Sequence, residues 1–163
     1  MLFVGTLEPR KNLARLVSAL RGRNDLPPLV IAGADGWGDI DVSHTANVQF
    51  IGYVDDQHLG AVYGGASVMC YPSLWEGFGL PILEAMAQGT PVVTSIGTST
   101  QEVAGGAAIL VDPLSEESIR NGIDEALRDA DVLKQRGRER ASQTTWQKTA
   151  VATARVYDEM VLL

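Results

Sequence analysis

Residues 68–84 read Val-Met-Cys-Tyr-Pro-Ser-Leu-Trp-Glu-Gly-Phe-Gly-Leu-Pro-Ile-Leu-Glu. The stretch starts as an apolar run, crosses a segment punctuated by proline and glycine, and resumes with apolar residues at helical spacing. It predicts a buried strand, a loop and a helix in succession. Pro81 fits the first turn of that helix, where its missing N–H costs nothing. The glycine loop is therefore expected to present backbone N–H groups at a helix N-terminus, which is a ready anion site. Glu76 lies in the loop and Glu84 about one turn inside the helix, so an anion there would sit between two carboxylates. A phosphate cradle flanked by groups that accept hydrogen bonds from hydroxyls suits a sugar nucleotide.

Working outward, apolar runs bounded by glycine or proline recur at 2–7, 29–32, 48–51, 68–71, 92–94 and 107–111. They predict about six short buried strands. Between them, Leu13, Leu16, Val17 and Leu20 share one helical face, as do Leu59, Val62 and Tyr63, and Ile82, Leu83, Met86 and Ala87. Strands alternating with helices imply right-handed crossovers. The expected fold is α/β: a doubly wound, Rossmann-like parallel sheet with helices on both faces. Past Asp112 the pattern becomes nearly continuous helix. Ser115 is a good N-cap with Glu116 and Glu117 in the first turn, followed by a stripe of Ile119, Ile123, Ala126 and Leu127. A long C-terminal helix from about Thr145 through Leu162 is expected to lie as a strap. Its candidate inward positions are Trp146, Ala150, Thr153, Val156, Tyr157 and Met160.

A chain of 163 residues with 45% apolar content predicts a single domain over residues 1–163. The 13 basic and 20 acidic side chains leave a net charge of −7, which argues against wholesale binding to nucleic acid or anionic lipid. Any anion site must be local. Cys70 is the single cysteine and lies in an apolar run, so it reads as a buried filler in a reducing compartment. No apolar run approaches a membrane span and the start has no signal-like character. A soluble, cytoplasmic protein is expected. Leu2-Phe3-Val4-Gly5 enters a strand without polar flanking residues, as a piece of something larger would.

In open parallel sheets ligands bind outside the C-terminal ends of the strands, so the loops at 7–12, 33–39, 52–56, 72–80 and 95–102 are the informative ones. Arg10 and Lys11 stand at the end of the first strand, with Asn12 placed to cap the following helix. Two cations there could neutralise a diphosphate; a solvated basic pair is the plainer alternative. Gly77 and Gly79 could simply serve the turn, and Glu76 and Glu84 the helix dipole. The order Gly33-x-x-Gly36-x-Gly38 does not match a dinucleotide fingerprint, and Asp39-Ile40-Asp41-Val42-Ser43 reads as loop. His44 and His58 have no partners in a metal-site pattern and are expected on a polar surface. Ser73 and Ser95 lack a nucleophile-elbow context.

With these residues in hand, the chain resembles the C-terminal, donor-binding half of retaining family 4 glycosyltransferases of the GT-B fold. The resemblance covers nearly the whole chain. It is carried by Gly5-Thr6-Leu7-Glu8-Pro9-Arg10-Lys11-Asn12, Ile31-Ala32-Gly33, Phe50-Ile51-Gly52-Tyr53-Val54, Tyr71-Pro72-Ser73 and the run from Glu76 to Glu84. Glu84-Ala85-Met86-Ala87 with Gly89, Pro91-Val92-Val93, Glu102-Val103, Val111-Asp112-Pro113 and Thr145-Trp146 continue it. The resemblance implies that Arg10 and Lys11 contact the donor diphosphate, and that Glu84 accepts hydrogen bonds from the ribose hydroxyls. It implies that Glu76 holds hydroxyls of the donor sugar, that backbone N–H groups of Gly77, Phe78, Gly79 and Leu80 meet sugar or phosphate, and that Val54 lies near the base. It further implies a reaction that retains anomeric configuration and needs neither metal nor cofactor. Many members carry an arginine directly after the first glycine, where this chain has Thr6, which leaves more to Arg10 and Lys11.

The function expected from this resemblance is transfer of a hexosyl group, mannosyl as first choice, from GDP-mannose or a UDP-sugar to a glycan or lipid-linked acceptor. The partner would be an N-terminal acceptor-binding half, through which any contact with the inner face of the membrane would be made. Without that half the chain is expected to bind donor weakly and catalyse little. The alternative is a non-catalytic nucleotide-sugar-binding or interaction module with the same fold.

Overall fold

The computed structural model describes residues 1–36 and 47–161. The expectations placed on Gly38, on 39–43, on His44 and on Leu162 lie outside the described residues. Six strands form one parallel sheet: β1 (Leu2–Val4), β2 (Leu29–Ala32), β3 (Val48–Gly52), β4 (Met69–Tyr71), β5 (Val92–Ser95) and β6 (Ile109–Val111). Their spatial order is β3-β2-β1-β4-β5-β6. The register pairs Phe3 with Ile31, Leu2 with Met69, and Cys70 with Val93. The chain winds outward from β1 in one direction, then returns to β4 and winds outward in the other. β1 and β4, distant in sequence, are therefore neighbours at the centre of the sheet, and a crevice opens beyond their C-terminal ends.

Strand side chains alternate between faces, and both faces are covered. Phe3, Ile31, Cys70, Val93 and Val111 pack with Leu13, Leu16 and Val17 of α1 (Leu13–Ala19) and with Ile119, Ile123 and Ala126 of α5 (Glu116–Arg128). Their neighbours in the strands, Leu2, Met69, Tyr71 and Val92, point the other way. They meet Tyr63 of α2 (Asp56–Gly64), Ile82, Leu83 and Met86 of α3 (Leu80–Ala87), and Val103 of α4 (Ser99–Ala104). Each such fully buried aliphatic or aromatic side chain contributes about 1.5–3 kcal/mol of transfer free energy. Gly33 is required where β2 ends, because a Cβ there would lie 2.1 Å from the Gly5 carbonyl oxygen. Cys70 is wholly buried, and burial pushes its thiol up to about 12, in keeping with a filler role.

Several local expectations are corrected. β1 ends at Val4 rather than Leu7, although the Gly5 and Leu7 amides still donate to the carbonyls of Ala32 and Ala34 at 2.9 and 3.2 Å. The 95–102 segment is not all loop, since α4 begins at Ser99. Ser115 caps α5 as expected, accepting from the Ser118 amide at 3.1 Å. Asn12 occupies the position before α1 but caps nothing with its side chain. It adopts φ 62° and donates instead to the Pro72 and Pro113 carbonyls at 2.9 and 2.7 Å, tying the β1 loop to the β4 loop. Ala87 is exposed rather than core. After a break at Asp129, α6 (Ala130–Gln143) lies against α3, and α7 (Trp146–Val161) follows. The α7 positions expected to face inward are all exposed, with Trp146 at 76% and Tyr157 at 69%. A helical stripe records which residues share a face, and nothing in periodicity says what that face meets.

Candidate functional site

The β1 loop and the β4 loop converge in the central crevice. Pro9–Lys11 form one 3-10 turn just past β1, which swings Arg10 and Lys11 toward β4. The Leu74 amide donates to the Arg10 carbonyl at 2.8 Å, locking the two loops together. On the far side, the Ser99 hydroxyl donates to the Glu76 carbonyl at 2.7 Å and the Ser95 hydroxyl to the Ser73 carbonyl at 2.6 Å. Glu76 is thus held by its backbone as well as by its side chain.

The Glu76 carboxylate is almost sealed, with 8% of its side chain exposed. Its Oε2 accepts from Arg10 Nη1 at 2.7 Å, while its Oε1 lies 2.9 Å from Lys11 Nζ and accepts from the Tyr71 hydroxyl at 2.8 Å. Lys11 also donates to the Tyr71 oxygen and stands 4.8 Å from the centre of that ring. Arg10 Nε reaches Glu8 at 2.7 Å. Burial raises the Glu76 carboxyl, but hydrogen bonds from Lys11, Tyr71 and Arg10 and the Lys11 charge outweigh it and hold the group below the usual carboxylate range. Partial burial pulls the Arg10 guanidinium down, yet Glu76 and then Glu8 keep it above its ordinary value. The Tyr71 phenol is pushed up by burial and by the Glu76 charge, so it stays a donor.

Two carboxylates and two cations balance here, yet donor capacity is left over. Among the described residues Arg10 uses Nε and Nη1 and leaves Nη2 without an acceptor, and Lys11 spends two of its three protons. The amides of Gly77, Phe78, Gly79 and Leu80 likewise have no acceptor among the described residues. Gly79 is the residue before α3 and has φ 108°, a conformation that favours glycine. Gly77 has no such demand: no φ in the left-handed region, and open space where a Cβ would go. Pro81 sits in the first turn of α3, as its place in the sequence predicts.

Glu84, the fifth residue of α3, stands apart from the ion cluster. It is exposed, and its Oε2 accepts from the buried Tyr63 hydroxyl at 2.7 Å. Val54 follows β3 and is half-buried against the face that carries α2 and α3. Phe78 and Leu80 are exposed and line an apolar groove of about 650 Å³ together with Leu83, Glu84 and Trp146. Sequence reasoning missed Tyr63, Tyr71 and Ser99. The two tyrosines read as apolar positions of a helix and a strand; the available signal was that a buried tyrosine needs a partner for its hydroxyl. Among the described residues no three His, Cys, Asp or Glu side chains group as a metal site, and no helix is long and apolar enough to cross a membrane. His58 is exposed, whereas Ser73 and Ser95 are buried.

Cations after the first strand, with a carboxylate and bare amides after the fourth, make an anion-receptive crevice at the switch point of a doubly wound α/β fold. Residues 1–144 match the family described as glycosyl transferases group 1. The chain is 37% identical to the O-antigen chain mannosyltransferase B of Escherichia coli, over 96% of this chain and 45% of that protein. It is 34% identical to a glycogen synthase of Mycobacterium tuberculosis, over 96% and 42%. Among solved structures, sucrose-phosphate synthase from Thermosynechococcus elongatus superposes with a TM-score of 0.78 at 27% identity, covering 98% of this chain and 45% of that one. Anabaena HepE in complex with UDP shares the fold, with a TM-score of 0.79 at 21% identity, over 99% and 49%. The chain belongs to the group 1 glycosyltransferase family and has the α/β fold of one half of a GT-B enzyme. It spans less than half the length of the first of these relatives.

Proposed function

We propose that residues 1–163 are the nucleotide-sugar-binding domain of a cytoplasmic glycosyltransferase that retains anomeric configuration, needs no metal or cofactor and moves a hexosyl group to a glycan or lipid-linked acceptor. The observation that carries this reading is the convergence of Arg10, Lys11 and Glu76 beside four amides whose N–H groups have no acceptor among the described residues. The diphosphate of the donor meets the remaining protons of Arg10 and Lys11 and the amides of Gly77, Phe78, Gly79 and Leu80. Glu76, whose Oε1 is taken up by Lys11 and Tyr71, has one acceptor position left on Oε2 for a hydroxyl of the sugar; Glu84 takes those of the ribose, and Val54 flanks the base. As the bond from the anomeric carbon to the diphosphate oxygen breaks, negative charge grows on the leaving group. Fixed cations and amides stabilise that charge without reorganising, the work a metal would otherwise do. The acceptor hydroxyl forms the new bond and its proton passes to the leaving diphosphate.

The E. coli mannosyltransferase and the MMP alpha-(1->4)-mannosyltransferase of Mycolicibacterium hassiacum, 36% identical over 76% of this chain and 31% of that protein, favour a mannosyl donor, for which GDP-mannose is the first choice. UDP-sugars are the competing choice, given the UDP-bound fold neighbour. The acceptor half lies across the crevice, and any contact with the inner membrane face is made there. GDP, UDP, GDP-mannose and UDP-glucose titrated into the labelled chain should shift the Lys11 and Glu84 resonances, with one base preferred. No shift at either residue at millimolar nucleotide refutes the donor site. In the longer protein, Glu76→Ala and Lys11→Ala should each abolish most transfer; wild-type rates in both refute the assigned roles.

A further inference from the structure

An exposed glutamate on a helix has three free torsions, and fixing them for a ligand costs side-chain entropy. Glu84 avoids much of that cost, because one of its oxygens is held from below. The Tyr63 hydroxyl donates to Glu84 Oε2 at 2.7 Å, and Tyr63 itself is 1% exposed, packed among Ile82, Leu83 and Met86. The tether has a rigid base. Thr90 donates its hydroxyl to the Tyr63 carbonyl at 2.6 Å, and its amide donates to the Ala85 carbonyl at 2.9 Å. One buried residue thus clamps the backbone of α2 at Tyr63 to the backbone of α3 at the position next to Glu84. The distance from phenol to carboxylate is set by this frame rather than by Glu84. A carboxylate has about four acceptor sites; with one occupied by Tyr63, the others remain available to a pair of adjacent hydroxyls.

We propose that Tyr63 is a positioning residue, which aims the Glu84 carboxylate so that it accepts both hydroxyls of the donor ribose. The inference rests on the reading of Glu84 as the ribose ligand, and its test separates the two. The probes are GDP and UDP and their 2′,3′-dideoxy forms, titrated into this chain by calorimetry. Tyr63→Phe removes one oxygen and keeps the ring. It should weaken the ribonucleotide about fivefold to tenfold, less than the full worth of one hydrogen bond to a charged group because the Glu84 carboxylate itself remains, and leave the dideoxy nucleotide unchanged. Glu84→Ala should weaken the ribonucleotide at least as much, and adding Tyr63→Phe to it should change nothing further. Tyr63→Met, apolar and without a donor, is the second variant should Tyr63→Phe melt early, with the same pattern expected.

If Glu84→Ala weakens the ribonucleotide while both Tyr63 variants bind it as wild type does, the positioning role is overturned and the ribose ligand stands. If the Tyr63 variants weaken ribo and dideoxy forms equally, Tyr63 is structural only and the proposal fails. If Glu84→Ala leaves ribonucleotide binding intact, the ribose reading fails and the proposal falls with it.

Discussion

Glu76 is the side chain on which the crevice turns, because it neutralises two cations that would otherwise face each other. Glu76→Gln keeps the shape and removes the charge, leaving the nearly buried Lys11 beside Arg10 with Glu8, on the Arg10 side, as the one anion paired to the cluster among the described residues. A loss of about 3 kcal/mol in urea unfolding is expected, typical of breaking a buried pair by removing one partner. The same interaction has a pH signature. The folded value of Glu76 lies below its unfolded one, so its stabilisation is complete above the unfolded carboxylate value near ~4.3. It is lost as the pH falls from there through the folded value. Unfolding measured between pH 7 and pH 2 should therefore show a decline below that point that is smaller in Glu76→Gln. Arg10, Lys11 and Glu76 could be picked out as candidates because charged groups just beyond strand ends are conspicuous in a sequence, and the structure brings those three together. Tyr63 and Tyr71 were not legible, because a tyrosine's ring satisfies an apolar pattern and only coordinates reveal where its hydroxyl goes.

The element that carries most of the site is the loop into α3, and its two glycines differ in what they must do. Gly79 sits at φ 108° with Thr100 Cγ2 3.2 Å from where a Cβ would be. Gly79→Ala should cost about 1–3 kcal/mol, the usual scale of a non-glycine residue held in that region. Gly77→Ala should stay within about 0.5 kcal/mol, and parallel thermal melts distinguish them. Strand positions were readable to within a few residues because parallel strands buried on both faces are continuous apolar runs. α4 was not, because Ser99-Thr100-Gln101-Glu102 carries loop-like composition and is held by its contacts with β5 and α3. α7 was readable as a helix but not as an exposed one. Its stripe contributes little to this chain's stability, so truncation after Thr144 should change unfolding free energy by less than about 1 kcal/mol, as denaturation of the two lengths would show.

For the molecule as a whole, the order β3-β2-β1-β4-β5-β6 matters more than any single contact. It places the loops after β1 and β4 side by side and so assembles cations and carboxylate from segments 66 residues apart. In the proposed transfer the remaining N–H donors of Arg10, Lys11 and four amides stand in for a metal by hydrogen-bonding the leaving diphosphate. In a protein that carries the proposed acceptor half as well, transfer assayed after exhaustive chelation should equal the untreated rate, and restoration only by added magnesium or manganese would overturn the proposed metal-independent mechanism. The sequence by itself determined the class of fold, the strands and the types of group at the site, since apolar period, glycine and proline punctuation and residue chemistry are local properties. Tertiary structure alone decided that Lys11, Arg10 and Tyr71 share one carboxylate, that Tyr63 holds Glu84, and that α7 is exposed at every position from 146 to 160. Those are distances between segments remote in sequence, fixed by strand order and packing, and periodicity within a segment carries no information about them.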